Sequence, residues 1–260
     1  MLSKIEALIL GIIQGLTEFL PISSTGHLYL GRHLFGLDEA GLFLDTMLHI
    51  GTLLAVLVLY KEELLTIFKK PFGKLSMLMI IGTIPAVVVG LLFKDWFDSI
   101  SKTGVTIGWE FLVTGAALWM ADGIRKGRKQ MDEIGYTDAL VIGTFQAAAI
   151  LPAVSRSGLT IAAGLFRGLN KETAAYFSFL LSIPAIAGGI VFQVPELFSQ
   201  TNEGISFTSL FFATVASALS GYFAIVWMIN YIKKNSLKIF AVYVWVLGLA
   251  VLALQFSGVF

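Results

Sequence analysis

Long apolar runs, separated by short polar connections, cover most of this 260-residue chain. A membrane-spanning helix needs roughly 20 apolar residues to cross the hydrocarbon core, and six of the runs have about that length. They lie at about 45–60, 76–93, 105–121, 176–194, 207–232 and 237–258. The pattern predicts an all-α polytopic membrane protein with six transmembrane helices. Because no stretch remains for a soluble domain, residues 1–260 are expected to form a single integral membrane domain.

Two further apolar stretches, 5–36 and 138–169, are interrupted by proline, serine and glycine. An offset of about half the chain length superposes similar residues of the two stretches: Gly11 on Gly143, Gln14 on Gln146, Ser23 on Ser155, Thr25 on Ser157 and Gly26 on Gly158. This repetition indicates a duplicated unit, with repeats at approximately 1–130 and 131–260. Because proline breaks helical geometry, each stretch is expected to be a re-entrant helix hairpin that meets the other near the bilayer midplane. The competing interpretation is a chain of eight complete spans.

The distribution of charge predicts the topology, although the net charge is only +1. If both hairpins return to the side from which they start, the basic residues fall mainly on one side, which the positive-inside rule makes cytoplasmic. Three spans per half then invert the second repeat relative to the first and place both termini outside. The residues on the basic side are Lys61, Lys69, Lys70, Lys74, Arg125, Lys126, Arg128, Lys129, Arg167, Lys171, Lys233, Lys234 and Lys238, against Lys4, Arg32, Lys94 and Lys102 on the other.

The composition excludes several classes of protein. Apolar residues make up 57% of the chain and charged residues 13%, about half of the share usual in a soluble domain. The chain has no cysteine, which excludes disulfides and thiolate metal sites. Membrane lipids are the expected surroundings, with a multi-pass location in a bacterial inner membrane. No nucleic-acid partner is expected, and a homodimer is one of the assemblies left open.

The hydroxyl and arginine residues of the broken segments predict an anion site. A helix that begins at such a break presents free amides, which favour phosphate in particular. Arg156 is the one basic residue that falls between apolar stretches at membrane depth, where an unpaired charge is costly. A guanidinium that grips two oxygens of an anionic ligand would explain it. The alternatives are a structural salt bridge for Arg156 and, for the small residues, close helix packing alone.

Gln14 and Glu18 lie four residues apart and share one helix face just before Pro21. Carboxylate and amide oxygens are suitable ligands for Mg²⁺ or Ca²⁺. Glu18 could instead pair with Arg156, and both roles can coexist around a metal-bound phosphate. His27, after the turn, is a candidate general acid or base for Ser24, or a core histidine without a catalytic role. Asp45 and His49 are weaker candidates for a second carboxylate or a hydrogen bond.

Two motifs make the chain resemble the undecaprenyl pyrophosphate phosphatases of the BacA type. Gln14 and Glu18 match the family's Glu/Gln-x-x-x-Glu pattern, and residues 23–27 match the Ser-Ser-Thr-Gly-His turn that follows it. Residues 152–160 match Pro-Gly-x-Ser-Arg-Ser-x-x-Thr, with Ala153 in place of the usual glycine. The similarity extends over the whole chain, and it implies the same fold of six spanning helices and two re-entrant hairpins.

The resemblance also implies a reaction, the hydrolysis of undecaprenyl diphosphate to undecaprenyl phosphate and inorganic phosphate for cell-wall synthesis. A polyprenyl diphosphate lipid would be the substrate, and a divalent cation on Glu18 and Gln14 the cofactor. The catalytic residues would be Ser24, His27, Glu18 and Arg156, and the substrate-binding residues Ser23, Thr25, Ser155, Arg156, Ser157 and Thr160. Ser24 would attack the terminal phosphorus, or would orient a water that does. The alternative function is a lipid-phosphate transporter that uses the same midplane site.

Overall fold

The computed structural model of the chain describes residues 2–37, 42–124, 127–199 and 205–258. These residues are almost entirely helical, as the sequence predicts. The α-helices are α1 (Lys4–Phe19), α2 (Ser24–Leu34), α3 (Leu42–Leu59), α4 (Lys61–Lys69), α5 (Lys74–Leu92), α6 (Lys94–Thr103), α7 (Ile107–Asp122), α8 (Tyr136–Ala148), α9 (Arg156–Phe166), α10 (Lys171–Ser199), α11 (Phe207–Lys234) and α12 (Lys238–Phe256).

The six apolar runs correspond to α3, α5, α7, α10, α11 and α12, but not all of these helices are long enough to span a membrane by themselves. By length and composition, four qualify within the described residues: α5, the Lys171–Gln193 part of α10, α11 and α12. A fifth is obtained if α3 and α4, which meet at an angle of 76°, form one broken span. The helix over the third run, α7, has only 16 residues. The structure therefore contains four or five candidate spans, where the sequence predicts six.

Both predicted breaks are present. The helix α1 ends at Phe19, ahead of Pro21, and α2 begins after a four-residue turn. Similarly, α8 ends at Ala148 and α9 begins at Arg156. Ser23 and Ser155 cap the outgoing helices, since their hydroxyls accept hydrogen bonds from amides in the first turn at 3.3 and 3.0 Å.

Each broken segment folds back on itself as a helix hairpin. Leu2, before α1, and Phe35, after α2, belong to the same apolar cluster. At the base of the second hairpin, Asp138 of α8 accepts a hydrogen bond from Arg167, just after α9, at 2.8 Å. The chain therefore returns toward the end of the bundle from which each segment starts, which argues against the alternative of eight complete spans.

Each hairpin packs its first helix against the opposite half of the chain. The helix α1 lies along α11, and α8 lies along α5. Glycine permits both contacts: a Cβ on Gly11 would lie 2.3 Å from the carbonyl oxygen of Ala213, and one on Gly143 would lie 2.3 Å from that of Gly82. These glycines are superposed by the internal repeat, so equivalent helices of the two halves have equivalent neighbours.

Polar contacts gather the basic loops at one end of the bundle. Lys129 and Arg167 both bond to the carboxylate of Asp138, and Lys171 bonds to Asp122 at 2.6 Å. The charge distribution along the sequence places these three basic residues on the cytoplasmic side of the membrane. At the other end, which includes the base of the first hairpin, Arg32 pairs with Asp45 at 2.7 Å. Arg125 and Lys126, which also enter the charge argument, lie outside the described residues.

Candidate active site

The tips of the two hairpins contact each other directly. Ser157, at the start of α9, donates a hydrogen bond from its hydroxyl to the carbonyl oxygen of Leu20 at 2.9 Å. In the other direction, the Ser23 hydroxyl lies 3.5 Å from the carbonyl oxygen of Pro152. The two broken segments therefore meet, as the sequence predicts, and residues more than 120 positions apart form one site.

Ser23 has an unusual backbone conformation. Its φ is +71° and its ψ is 108°, whereas its counterpart Ser155 has a φ of −71°. A non-glycine residue in such a conformation costs on the order of 1–3 kcal/mol, and strain of this kind clusters at functional sites. The strained residue immediately precedes Ser24, whose hydroxyl reaches back to α1.

A cavity of about 390 Å³ lies beside the meeting point. Most of its polar wall comes from both hairpins and from α3, and α5 and α10 add one polar residue each, Thr83 and Gln193, to the apolar residues that form most of the remaining wall. The polar lining residues are Thr17, Glu18, Ser23, Ser24, Thr25, His49, Thr83, Gln146, Ser155, Arg156 and Gln193. The sequence-predicted residues that face this cavity in addition to Glu18 are therefore Ser23, Ser24, Thr25, Ser155, Arg156 and the weaker candidate His49.

Glu18 is the centre of the polar network. It is 8% exposed, and its two carboxylate oxygens accept different donors. Oε1 accepts a hydrogen bond from Nη2 of Arg156, and Oε2 accepts from the hydroxyl of Ser24 and from Nε2 of Gln14 at 3.1 Å. His49 points its Nε2 toward the same oxygen at 4.0 Å. The pairing of Glu18 with Arg156, an alternative at the sequence level, is therefore present in the structure.

Two buried polar atoms of this network have no partner among the described residues. One is Nη1 of Arg156, the second terminal nitrogen of the guanidinium, and the other is Oε1 of Gln14. The first is a donor available to an anion. The second is an oxygen that could ligate a hard cation. Among the described residues, no group of three or more histidine, aspartate or glutamate side chains could hold a metal ion by itself.

Besides Gln14 and the weaker candidate Asp45, which pairs with Arg32, three predicted residues do not line the cavity. The hydroxyl of Thr160 lies 2.8 Å from the carbonyl oxygen of Arg156 and 2.6 Å from the hydroxyl of Ser178, and Ser157 is bonded to Leu20 as described above. His27 has both ring nitrogens engaged, Nδ1 at 2.6 Å from the Ser23 carbonyl and Nε2 at 2.8 Å from the Tyr243 hydroxyl. Phosphate binding by Ser157 and Thr160 and proton transfer by His27 remain predictions.

Sequence reasoning missed two residues of α7 that support the second turn. Glu110, which is 4% exposed, accepts a hydrogen bond from the amide of Ala153. Thr114, one helical turn later, accepts from the amide of Ser155 at 3.0 Å. Glu110 is an acidic residue inside the apolar run 105–121, and an ionisable residue in that setting is a signal that could have identified it. Together these contacts hold the backbone on both sides of Val154 and so position Arg156.

The methyl group of Ala153 fits the turn. The residue is fully buried, and its Cβ lies 3.1 Å from where a Cβ on Gly26 would be. A Cβ at Gly26 would also lie 2.6 Å from the ring of Phe111. The space beside Ala153 therefore depends on glycine at position 26, so the departure from the family's usual glycine leaves the turn intact.

Fold and site define a helical membrane protein whose polar cavity lies between two broken helix hairpins and is lined by an arginine, a carboxylate and several hydroxyls. Comparison with known sequences places it more narrowly. The sequence profile of the bacitracin resistance protein BacA family matches residues 7–250, and the chain belongs to this family.

Three relatives of this chain carry the same enzyme name. The chain is 67% identical over 256 residues to an undecaprenyl-diphosphatase of Bacillus cereus, and the alignment covers 98% of this chain and 99% of the relative. It is 46% identical over 261 residues to the undecaprenyl-diphosphatase of Carboxydothermus hydrogenoformans, with complete coverage of both chains. The undecaprenyl-diphosphatase of Halothermothrix orenii is 39% identical over 257 residues, 98% of each chain. The resemblance found in the two motifs is confirmed.

Proposed function

We propose that this protein is an undecaprenyl-diphosphatase, which hydrolyses undecaprenyl diphosphate to undecaprenyl phosphate and inorganic phosphate and so recycles the lipid carrier of cell-wall synthesis. The relatives' shared name supports the activity. The observation that carries the proposal is the cluster of Arg156, Glu18 and Ser24 in one cavity, because the carboxylate of Glu18 accepts hydrogen bonds from both a phosphate-binding cation and a hydroxyl nucleophile.

The proposed location is the bacterial inner membrane, with six spanning helices and two re-entrant hairpins in inverted repeats. The equivalent packing of α1 and α8 against opposite halves supports the repeat. The helix α7, at about 1.5 Å per residue, is roughly 24 Å long, which is somewhat short of the hydrocarbon thickness. The angle between α3 and α4 suits a helix that crosses the bilayer and then turns along its surface.

In the proposed mechanism, Ser24 attacks the terminal phosphorus of the diphosphate. Its hydroxyl already donates a hydrogen bond to Glu18, so that carboxylate is placed to accept the proton as the new oxygen–phosphorus bond forms. The bond between the phosphorus and the bridging oxygen breaks, and undecaprenyl phosphate leaves. Water then hydrolyses the phosphorylated Ser24 and releases inorganic phosphate. Direct attack by a water that Ser24 and Glu18 orient is the second route.

Arg156 would bind the diphosphate through the guanidinium nitrogen that has no partner among the described residues. Its other terminal nitrogen is held by Glu18, which restricts the orientation of the guanidinium, and Arg156 lines the cavity. Negative charge that develops on the departing phosphate would be stabilised at this position. Ser155 and the hydroxyls of the first turn line the same space.

A divalent cation, Mg²⁺ or Ca²⁺, is proposed as cofactor. The unpartnered Oε1 of Gln14 fits such an ion, and Glu18, which accepts three donors, keeps a lone pair on its own Oε1 for it. With one carboxylate and one amide, most of the coordination would come from phosphate and water. A bound cation would supply charge neutralisation at the transferring phosphoryl group.

The polyprenyl tail would leave the cavity across its apolar wall. This wall includes Ala86, Val87 and Gly90 of α5 and Ile186 and Phe192 of α10. The space beside two further lining residues, Gly188 and Gly189, is open: a Cβ there would meet no atom of the described residues within 4 Å. The gap between α5 and α10 therefore offers an apolar route toward lipid.

The test is phosphate release from the purified protein in detergent with undecaprenyl diphosphate as substrate. We expect release that falls strongly in EDTA and returns with added Mg²⁺ or Ca²⁺. Release that is unchanged in EDTA would remove the cation from the proposal. A lipid-phosphate transporter, the alternative function for this inverted-repeat architecture, would release no phosphate in detergent.

A further inference from the structure

Gln146 is a buried side chain with no partner among the described residues at the edge of the cavity. It lies on α8, its exposed fraction is 2%, and it contributes to the cavity lining beside Arg156. Neither its Nε2 nor its Oε1 has a hydrogen-bond partner in the described part of the chain. A buried donor or acceptor that remains unpaired destabilises the folded protein, so a side chain with two such atoms calls for an explanation.

The internal repeat explains why this side chain is unpaired. Gln146 is equivalent to Gln14, whose Nε2 donates to Glu18 four residues later on the same helix face. The position four residues after Gln146 is Ile150, which offers no side-chain acceptor. The second half of the chain therefore kept the carboxamide and lacks the carboxylate that would bind it.

We propose that Gln146 is a substrate-binding residue, which donates its Nε2–H to a phosphate oxygen of the diphosphate. The inference deepens the proposed function, on which it rests, by assigning a further ligand of the same substrate. Arg156, whose Nη1 is also unpartnered among the described residues, lines the same cavity. A carboxamide adds a directional donor without adding charge, so Gln146 would orient the diphosphate that Arg156 attracts.

Replacement of Gln146 separates this role from a structural one. The Gln146→Leu variant removes both unpaired polar atoms at similar volume, so we expect its melting temperature to be equal to or above that of wild type. The same variant should lower kcat/KM for undecaprenyl diphosphate by about 10- to 100-fold, the effect of losing a hydrogen bond to a charged group. Gln146→Glu, which places a carboxylate against phosphate, should lower it further.

Inorganic diphosphate is the probe that isolates the headgroup. Its inhibition constant, and its dissociation constant measured directly on the purified protein, should both rise in Gln146→Leu by about the factor by which kcat/KM for the lipid falls. The matched control is Gln255→Leu, since Gln255 uses its Nε2 in a bond to the Gly104 carbonyl at 2.9 Å, far along the chain from the hairpins. That variant should bind inorganic diphosphate as wild type does.

Two outcomes would overturn the inference. In the first, Gln146→Leu and Gln146→Glu both bind inorganic diphosphate within about twofold of wild type. In the second, Gln146→Leu loses binding and melting temperature together while Gln146→Met, which also lacks the amide, retains binding, so that the side chain matters only for packing. If wild type binds inorganic diphosphate but releases no phosphate from the lipid, the proposed function fails, and the binding comparison still decides the role of Gln146.

Discussion

Arg156 and Glu18, 138 residues apart in the chain, form a buried ion pair where the two broken hairpins meet. Each residue comes from a different repeat, and each would be costly at membrane depth without a partner. The pair compensates both charges, and it leaves Nη1 of Arg156 without a partner among the described residues, beside the cavity. One contact therefore joins the two halves and restricts the orientation of a guanidinium that belongs to the lining of the cavity.

The first prediction concerns the charge and shape of Arg156. Arg156→Lys should lose most of the hydrolytic rate, because an ammonium cannot bond Glu18 and a phosphate with the fixed geometry of a guanidinium. Arg156→Ala should lose nearly all of it. If Arg156 were an isolated charge, its removal would stabilise the fold. Because it is paired with Glu18, its removal should instead lower the free energy of unfolding by about 3–5 kcal/mol, since Glu18 is left without its counter-charge.

A double variant distinguishes the two effects of that substitution. In Glu18→Gln with Arg156→Met, no unpaired charge remains, so the melting temperature should recover toward that of wild type while phosphate release stays absent. Thermal unfolding in detergent and a phosphate assay measure the two quantities. If the double variant recovers both the melting temperature and phosphate release, the pair is structural and phosphate binds elsewhere.

The second prediction concerns Ser24 as nucleophile. Ser24→Ala should abolish turnover and still bind inorganic diphosphate, because the substitution removes the attacking oxygen and leaves Arg156 in place. Rapid quenching of wild type during turnover should trap phosphate on Ser24, detectable by mass spectrometry. Ser257→Ala, near the end of the chain, serves as the control. Substantial turnover by Ser24→Ala would rule out the covalent route.

The third prediction concerns Glu110, which supports the turn without lining the cavity. Glu110→Ala leaves the amide of Ala153 without its acceptor and should destabilise the protein by about 1–3 kcal/mol while raising KM. Glu110→Gln keeps an oxygen that can accept from that amide, so its stability and its KM should both be close to those of wild type. Equal losses of kcat in the two variants, with KM unchanged, would instead mean that the negative charge of Glu110 acts in the chemical step.

The fourth prediction concerns His27 and its bond to Tyr243. His27→Ala should lower kcat and change its dependence on pH if the imidazole transfers a proton. Tyr243→Phe removes only the hydroxyl at Nε2 and should lower kcat by less than about tenfold. If His27→Ala is slower than wild type at every pH but kcat depends on pH in the same way, His27 only holds the Ser23 turn through its Nδ1 contact.

The fifth prediction concerns topology. The chain has no cysteine, so single cysteines at Lys70 and Lys94, at either end of α5, can be labelled without background. An impermeant thiol reagent should reach the first only from the cytoplasm and the second only from outside. Labelling of both from the same side would contradict the inverted three-plus-three arrangement.

Much of the fold follows from local sequence. Apolar runs of spanning length predict helices whatever their neighbours, and Pro21 and Pro152 end helices because proline lacks an amide hydrogen and restricts φ. The helices over the six runs and both breaks are therefore found where the sequence predicts them. The meeting of the hairpins also follows from sequence, because the repeat is read from Gly11, Gly143 and the residues in step with them.

Several features of the fold and of the site were determined only by the tertiary structure. The lengths of α3 and α7 as helices, the support of the second turn by Glu110 and the bond of Tyr243 to His27 all depend on distant segments. Hydrogen-bond partners are set by three-dimensional proximity, and no local pattern encodes which of two similar side chains is satisfied. Gln14 and Gln146 illustrate this: the repeat makes them equivalent in sequence, but the packing of the described residues pairs only Gln14 with a carboxylate and leaves Gln146 unpartnered beside the cavity.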